Sequence, residues 1–213
     1  MHCPLCSCEN TISLEENPDF KLRKCENCFL VYKDSSLFLS ETDEKERYVN
    51  HKNSIDNNGY VEHLNKAIYP FLKYAEFDSS GLDYGCGPQP VLSEILKEKK
   101  IRCDVYDPFF FDDFPGERKD FIFSTEVFEH FHNPQVEMRV ITSLLMPGGL
   151  LTVMTNMWND DTNFNNWWYL NDPTHVIFFN PKTFEFISKE YGYDILENDE
   201  NEVVVMRKHW VKE

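Results

Sequence analysis

Four cysteines stand in two short pairs, Cys3-Pro4-Leu5-Cys6 and Cys25-Glu26-Asn27-Cys28. Each pair sets two thiolates on a tight turn, and two such turns supply the four sulfurs of a tetrahedral zinc site. Eighteen residues separate the pairs, enough for a hairpin to bring the second turn back to the first. A stretch this short buries too little apolar surface to order itself, whereas a bound metal contributes folding free energy directly. The alternative is a set of reduced, unmetallated thiols. Four sulfurs close the coordination shell, so the expected metal is structural and has no chemistry to perform. Cys8 is a spare ligand or a free thiol, and His2 substitutes only in an unusual register.

A second constellation is Glu126-x-x-Glu129-His130. On a helix that starts promptly after the preceding strand, offsets of three and four bring Glu126 beside Glu129 and His130. Two carboxylates and an imidazole suit Mg²⁺, Mn²⁺ or another divalent ion, which lowers the pKa of a coordinated hydroxyl. The plainer reading has Glu129 capping or solvating a helix and His130 packing under a loop.

The third is "LDYGCGPQP", Leu82 to Pro90, with Gly85 and Gly87 two apart. No GxxxxGK[ST] phosphate loop occurs, and Gln89 stands where a third glycine of a dinucleotide fingerprint could fall. Asp83 at the head of the loop repels a pyrophosphate and favours a cationic or amine-bearing ligand. Twenty residues past Gly87, Asp107 closes "VYD", where an acid accepts hydrogen bonds from both ribose hydroxyls.

These residues need elements to hold them. Leu82 ends a strand, the glycines form the turn, and Pro90 to Leu96 resumes helical spacing. "VYD" ends another strand, "DFIFSTEVFEHF" from Asp120 supplies the next inner one, and Pro147-Gly148-Gly149 turns into "LLTVMTNMW". This order predicts an α/β fold with a parallel sheet, whose ligands sit beyond the carboxyl ends of its strands. Asn180-Pro181 is a helix entrance, Phe184 to Ile187 a core face, and "GYDILEND" with "NEVVVMRK" an antiparallel hairpin. Upstream, Asn57-Asn58-Gly59 opens a helix with Val61, Leu64, Ile68 and Leu72 on one face. Short alternations around Ile12 to Leu14 and Phe29 to Tyr32 give the ribbon its strands. The expected division is 1–32 zinc ribbon, 33–76 helical linker and cover, and 77–213 main domain.

Of 213 residues, 41% are apolar and 27% charged, which fits one moderate core with a small appendage. The net charge of −16, from 37 acidic against 21 basic residues, disfavours phosphate-backbone binding and makes a nucleic-acid partner unexpected. No run of 18 apolar residues occurs and "MHCPLC" lacks the marks of a secretory signal, so no membrane insertion and a cytoplasmic location are expected. Five of seven cysteines lie within the first 28 residues, a clustering that suits metal rather than disulfides.

Over approximately residues 77–207 the chain resembles the class I S-adenosylmethionine-dependent methyltransferases, through "LDYGCGPQP", "VYDPFF", "DFIFSTEVFEHF" and "MPGGLLTV" in order. The resemblance implies a Rossmann-like sheet with a terminal antiparallel hairpin, carrying a small N-terminal zinc ribbon. It implies that Gly85 and Gly87 let the backbone approach the cofactor, that Asp83 lies near its methionyl amine, and that Asp107 grips the ribose. Ser124, Thr125 or Glu126 then lines the wall near the sulfonium. Only twelve residues separate Asp107 from Asp120, so the third strand and its helix are expected to be shortened or absent. "PFFFDDF" then stacks on adenine through Phe109 and its neighbours, or those rings cover a sheet edge.

The ExxEH pattern is similar to that of metal-dependent small-RNA 3′-end ribose methyltransferases, which use a further histidine, here His175. In related small-molecule methyltransferases a His-containing segment such as "NNWWYLNDPTHVIFFNPKTF" forms an acceptor wall. His175 is accordingly the first candidate for general base or acceptor orienter, with His130 and Glu126 beside it. The alternative is that His175 is bonded within its loop and merely holds Trp168 and Phe178. Trp158, Trp167, Trp168 and Tyr169 stack on a planar acceptor or simply pack. The predicted activity is methyl transfer to a small-molecule hydroxyl or amine. The alternatives are metal-assisted RNA ribose 2′-O-methylation and a noncatalytic cofactor-binding module whose ribbon recognises a protein.

Overall fold

The computed structural model describes residues 2–14, 18–50, 53–76 and 78–210. Phe77, where the third unit was expected to begin, and residues 211–213 at its end lie outside that set.

The N-terminal segment forms three short strands, β1 (Thr11–Ser13), β2 (Arg23–Cys25) and β3 (Val31–Tyr32). Two helices follow, α1 (Glu41–Val49) and α2 (Asn58–Leu72). The main sheet begins with β4 (Ser80–Tyr84), α3 (Val91–Glu98) and β5 (Arg102–Tyr106). It continues through β6 (Lys119–Thr125), α4 (Pro134–Leu144) and β7 (Leu145–Met154). A two-residue strand β8 (Ile177–Phe178) precedes α5 (Pro181–Tyr191) and the closing strands β9 (Tyr193–Asn198) and β10 (Val203–Lys208).

The main sheet has the order β5-β4-β6-β7-β10-β9. The first four strands run parallel, and β10 joins β7 and β9 antiparallel. The direction of winding reverses at β4, which has β5 on one side and β6 on the other. In doubly wound sheets the ligand crevice lies beyond the strand ends at such a switch point. The β5–β6 link contains no helix or strand of its own, so β5 is an edge, as the twelve-residue spacing predicts.

Alternation along the strands sends side chains to both faces. Phe121, Phe123, Leu150 and Met154 pack with Leu64, Ile68 and Phe71 of α2 and with Leu92 and Ile95 of α3. Ile122, Leu151, Val153 and Met206 meet Met138 and Ile141 of α4 and Phe184 and Ile187 of α5 on the opposite face. Each such fully buried side chain contributes roughly 1.5–3 kcal/mol relative to exposure.

Local signals account for the helix starts. Asn57 caps α2 by accepting the Tyr60 amide, Asn133 caps α4, and Asn180 forms a capping box with Thr183 ahead of Pro181. The buried face of α2 is Leu64, Ala67, Ile68 and Phe71, and Leu72, expected on that face, points outward. Pro147-Gly148-Gly149 is an irregularity inside β7, where register moves from Lys119–Leu145 to Phe121–Leu150. Gly148 takes φ +79° there, and a Cβ on it would overlap the Trp210 ring.

A second sheet has the order β1-β2-β3-β8, all antiparallel. The cysteine-bearing segment is therefore joined by backbone hydrogen bonds to the stretch that follows His175.

Candidate functional site

At the head of the crevice, Asp83 is 2% exposed and finds no hydrogen-bond donor among the described residues. Burial, with the nearby Asp107 charge, pushes its carboxyl up to about 7. Gly85 turns the chain at φ +85° and donates its amide to the Tyr106 carbonyl at 2.8 Å. A Cβ on it would fall 2.5 Å from Val127, whereas a Cβ on Gly87, at φ +66°, would meet nothing within 4 Å. The first glycine thus serves packing and the second leaves open space before the crevice.

Asp107 is a fixed acceptor. Its Oδ2 takes the Gly87 amide at 3.0 Å and its Oδ1 the Phe109 amide at 2.9 Å. Each carboxylate oxygen keeps a further lone pair, so two vicinal hydroxyls can still be received. Burial raises the Asp107 pKa while the two amides hold it down. Ser124 donates to the Tyr84 carbonyl and is fully buried, so its hydroxyl braces β4 against β6.

Just beyond β6, Glu126 takes φ +55° and donates its amide to Met154 at 2.8 Å. No α-helix starts promptly here: a 3₁₀ turn spans Phe128–His130 and α4 waits until Pro134. The left-handed backbone turns Glu126 away from Glu129 and His130 toward α2, where its Oε1 meets His63 Nε2 at 3.2 Å. Its carboxylate raises the His63 pKa, and with Asp83 it adds to burial in raising that of Tyr60. Glu126 is thus outside the ligand group into which the helical spacing had put it.

Glu129, His130 and His175 do come together, each offering a ligand atom within 4.8 Å of the others. The 3₁₀ turn places the first two. The third is placed by two backbone bonds, Val176 amide to Glu129 carbonyl at 2.8 Å and His175 amide to Asp172 carbonyl at 3.2 Å. His130 Nδ1 donates to the Thr174 carbonyl at 3.0 Å and His175 Nδ1 to the Tyr169 carbonyl at 2.8 Å. Those carbonyls fix the tautomers and leave each Nε2 with a lone pair. Glu129 is fully buried; its Oε1 accepts the Tyr169 hydroxyl at 2.6 Å and its Oε2 has no partner among the described residues. Burial, then the Glu126 charge, raises the Glu129 pKa, and burial lowers that of His175. Two imidazole nitrogens and one orphaned carboxylate oxygen form a donor set suited to a divalent ion of the first transition row.

Helix α1 lies over this cluster. Tyr48 sets its ring edge-on to His130 at 5.3 Å and 5.8 Å from Phe109, spanning the distance between the cofactor side and the histidines. Arg47 makes a bidentate pair with Asp172, at 2.8 and 2.6 Å, and Glu44 meets His132 at 3.1 Å. A depression of about 620 Å³, lined by Glu41, Lys45, Val49 and Phe109 among others, borders the helix. Phe109, which lines it, and its neighbours Phe110 and Phe111 are half-buried. Trp158 and Tyr169 are buried, while Trp168 stands 65% exposed.

The four cysteines also converge. Cys3 and Cys28 sulfurs are 3.5 Å apart, as are Cys6 and Cys25, and all four lie within 4.8 Å of one another. Ligands at 2.3 Å around tetrahedral zinc would stand about 3.8 Å apart, so the set fits the ion. Contact with Cys28 lowers the Cys3 thiol pKa, the same contact raises that of Cys28, and burial raises that of Cys25. Cys8 and His2 lie outside the four: the Cys8 carbonyl accepts the Cys3 amide, and His2 Nδ1 lies 3.3 Å from the Ser7 carbonyl.

Sequence reasoning missed Tyr48, Tyr60 and His63. α1 reads "ETDEKERYV", without an apolar stripe, and its only signal is Ser40 capping the Asp43 amide ahead of an acidic first turn. Tyr60 and His63 fall at ordinary positions of α2, and nothing local marks them.

A parallel sheet with an acid before a glycine turn and a second acid at the next strand end is the arrangement of a nucleoside-binding doubly wound fold. Residues 53–198 match the methyltransferase-domain family, and the chain belongs to it. Its fold is that of the class I S-adenosylmethionine-dependent methyltransferases. Among solved structures, an O-methyltransferase family protein from Burkholderia thailandensis superposes with TM-score 0.53 at 12% identity, over 79% of this chain and 64% of that one. This chain thus spans less than two thirds of that protein's length. A chain of the complex between the Haloferax volcanii Trm112 methyltransferase activator and a methyltransferase gives 0.53 at 13%, over 78% and 97%. A protein assigned as a sarcosine dimethylglycine methyltransferase from Galdieria sulphuraria gives 0.50 at 13%, over 78% and 98%. At such identities these likenesses concern the fold. No curated protein matches the sequence. No helix among the described residues is long and apolar enough to cross a membrane.

Proposed function

We propose that the protein methylates a hydroxyl or amine of a small molecule held between the strand-end crevice and the Glu129, His130 and His175 cluster. The observation that carries this reading is that, among the described residues, neither histidine's Nε2 has a hydrogen-bond partner and the buried Glu129 Oε2 near them has none either. Asp83 receives the cofactor's amine, Asp107 its ribose, and the open face of Gly87 admits its backbone-contacting edge. Thr125 and Glu126 line the wall near the reacting carbon, and Phe109 covers the nucleoside. Bound there, S-adenosylmethionine supplies an electrophilic methyl on a cationic sulfur. The residues then have only to orient the acceptor in line and exclude water. His175, kept neutral by burial, accepts the acceptor's proton at Nε2, and His130 orients the same group.

The orphaned Glu129 oxygen favours a second reading of the cluster, in which Glu129, His130 and His175 would hold a divalent ion such as Mn²⁺. The ion would lower the acceptor's pKa in place of a base. Cys3, Cys6, Cys25 and Cys28 would hold a structural zinc.

Labelled S-adenosylmethionine offered with metabolite and RNA pools, with and without chelator, tests these assignments. Label in small molecules that survives chelation supports the histidine base, and loss on chelation supports the ion. Label in RNA alone contradicts the small-molecule assignment, which the net charge of −16 supports.

A further inference from the structure

The cysteine ribbon is built into the wall that carries His175. The Val176 peptide is held from both sides: its amide donates to the Glu129 carbonyl, and its carbonyl accepts the Lys33 amide at 2.8 Å. Immediately after it, β8 pairs with β3, Tyr32 opposite Ile177 and Val31 opposite Phe178. Lys33, 4% exposed, then sends its Nζ to the Leu170 and Asp172 carbonyls at 3.0 and 3.1 Å. Leu22 and Val31 of the ribbon share one apolar cluster with Tyr169, Leu170 and Phe178. Cys3, Cys25 and Cys28 belong to another that includes Phe128 and Phe179. By contrast, the backbone of Asp83 pairs with β5 and β6, and Gly85, Gly87 and Asp107 bond to Tyr106, to one another and to the Phe109 amide.

We infer that metal in the four-cysteine site organises the acceptor wall, with Lys33 the positioning residue that ties the ribbon to the 170–178 segment. This rests on reading the cysteines as a zinc site and His175 as facing the acceptor. Without the ion, the short ribbon has too little burial to keep its shape, and β8 loses both its strand partner and its lysine tether. His175 then leaves the cluster while the cofactor crevice persists. Zinc occupancy would set acceptor turnover without setting cofactor affinity.

The test is hydrogen exchange on the full chain before and after zinc removal, with metal counted in each sample and S-adenosylmethionine affinity measured in parallel. Peptides covering 168–179 should exchange about tenfold faster without zinc and recover on its return, while those covering 80–107 hold their protection. Cofactor Kd should move by less than about threefold, well under the tenfold that 1.4 kcal/mol represents. Lys33→Met should keep the zinc and the cofactor affinity yet raise exchange over 168–172, a split that a general stability loss does not produce. Unchanged exchange over 168–179 in zinc-free protein would overturn the inference. Equal loss of protection over 80–107 would also overturn it, since the ribbon would then support the whole fold indiscriminately. Lys33→Met without effect on exchange would remove that residue's role. A chain that holds no zinc as purified refutes the zinc-site reading, a failure that the metal count tells apart from the others.

Discussion

His130 and His175 stand edge to face with ring centroids 4.9 Å apart, each donating Nδ1–H to a backbone carbonyl. Both tautomers are thereby set, and both Nε2 atoms are kept for a ligand or a proton. His175→Asn should lower methyl transfer by about 100-fold while cofactor Kd stays within about threefold, since a positioned base contributes 10² or more. Single-turnover transfer and a cofactor titration on the same preparation separate the two effects. A parallel loss of cofactor binding would move His175 to a supporting role in the crevice.

The two glycines of the turn should fail differently. Gly85→Ala sets a Cβ 2.5 Å from Val127 at φ +85° and is expected to cost about 1–3 kcal/mol of stability. Gly87→Ala has room, so strain at φ +66° should cost about 1–2 kcal/mol, with a cofactor affinity loss exceeding that of stability. Thermal unfolding with and without S-adenosylmethionine compares the two. Identical profiles would mean that Gly87 does not border the ligand.

The contrast between legible and illegible parts follows from range. Asp83, the glycine turn and Asp107 could be placed because a strand, a turn and a helix leave signals within a few residues. The missing helix between β5 and β6 was legible from chain length alone. The Glu126 misplacement came from assuming helix where a left-handed residue and a 3₁₀ turn intervene; "TEVFEH" carries no glycine to mark the difference. His63 facing Glu126 and β8 pairing with β3 depend on segments far apart in sequence, the second across more than a hundred residues. The two-residue strand has no periodicity of its own to read.

Asp83 gives a pH signature. Its folded carboxyl titrates near 7 and the unfolded one near 3.9, so between those values the folded chain retains a proton that the unfolded chain has released. This group therefore removes stability as pH rises from about 4 to 7 and has no further effect above. Asp83→Asn should be more stable than the parent at pH 8, with the difference shrinking toward pH 4. Cofactor affinity of the parent, which needs the carboxylate, should strengthen as pH rises toward 7 and lose that dependence in Asp83→Asn. Melting curves and titrations at pH 5, 6, 7 and 8 check both slopes; a parent affinity flat over that range would contradict the assignment.

Arg47 and Asp172 should not be equivalent partners. Asp172 is buried against ionisation, but Arg47 together with the Thr174 hydroxyl and amide holds its pKa well below the usual carboxylate range. Arg47→Ala, which removes a half-exposed pair, should cost under about 1 kcal/mol and less in high salt. Asp172→Ala also strips Thr174 of its acceptor and should cost more. Denaturant midpoints of both variants at low and high salt decide the order, and equal losses would mean that the turn before His175 does not depend on Asp172.

Direct titration of S-adenosylmethionine into the parent chain and into Asp107→Ala probes the crevice most plainly. One molecule should bind per parent chain, with Kd raised at least about tenfold in the variant, which loses the ribose acceptor and the anchor of the Gly87 and Phe109 amides. A parent chain that fails to bind, or a variant that binds as tightly as the parent, would contradict the placement of the cofactor between Asp83 and Asp107.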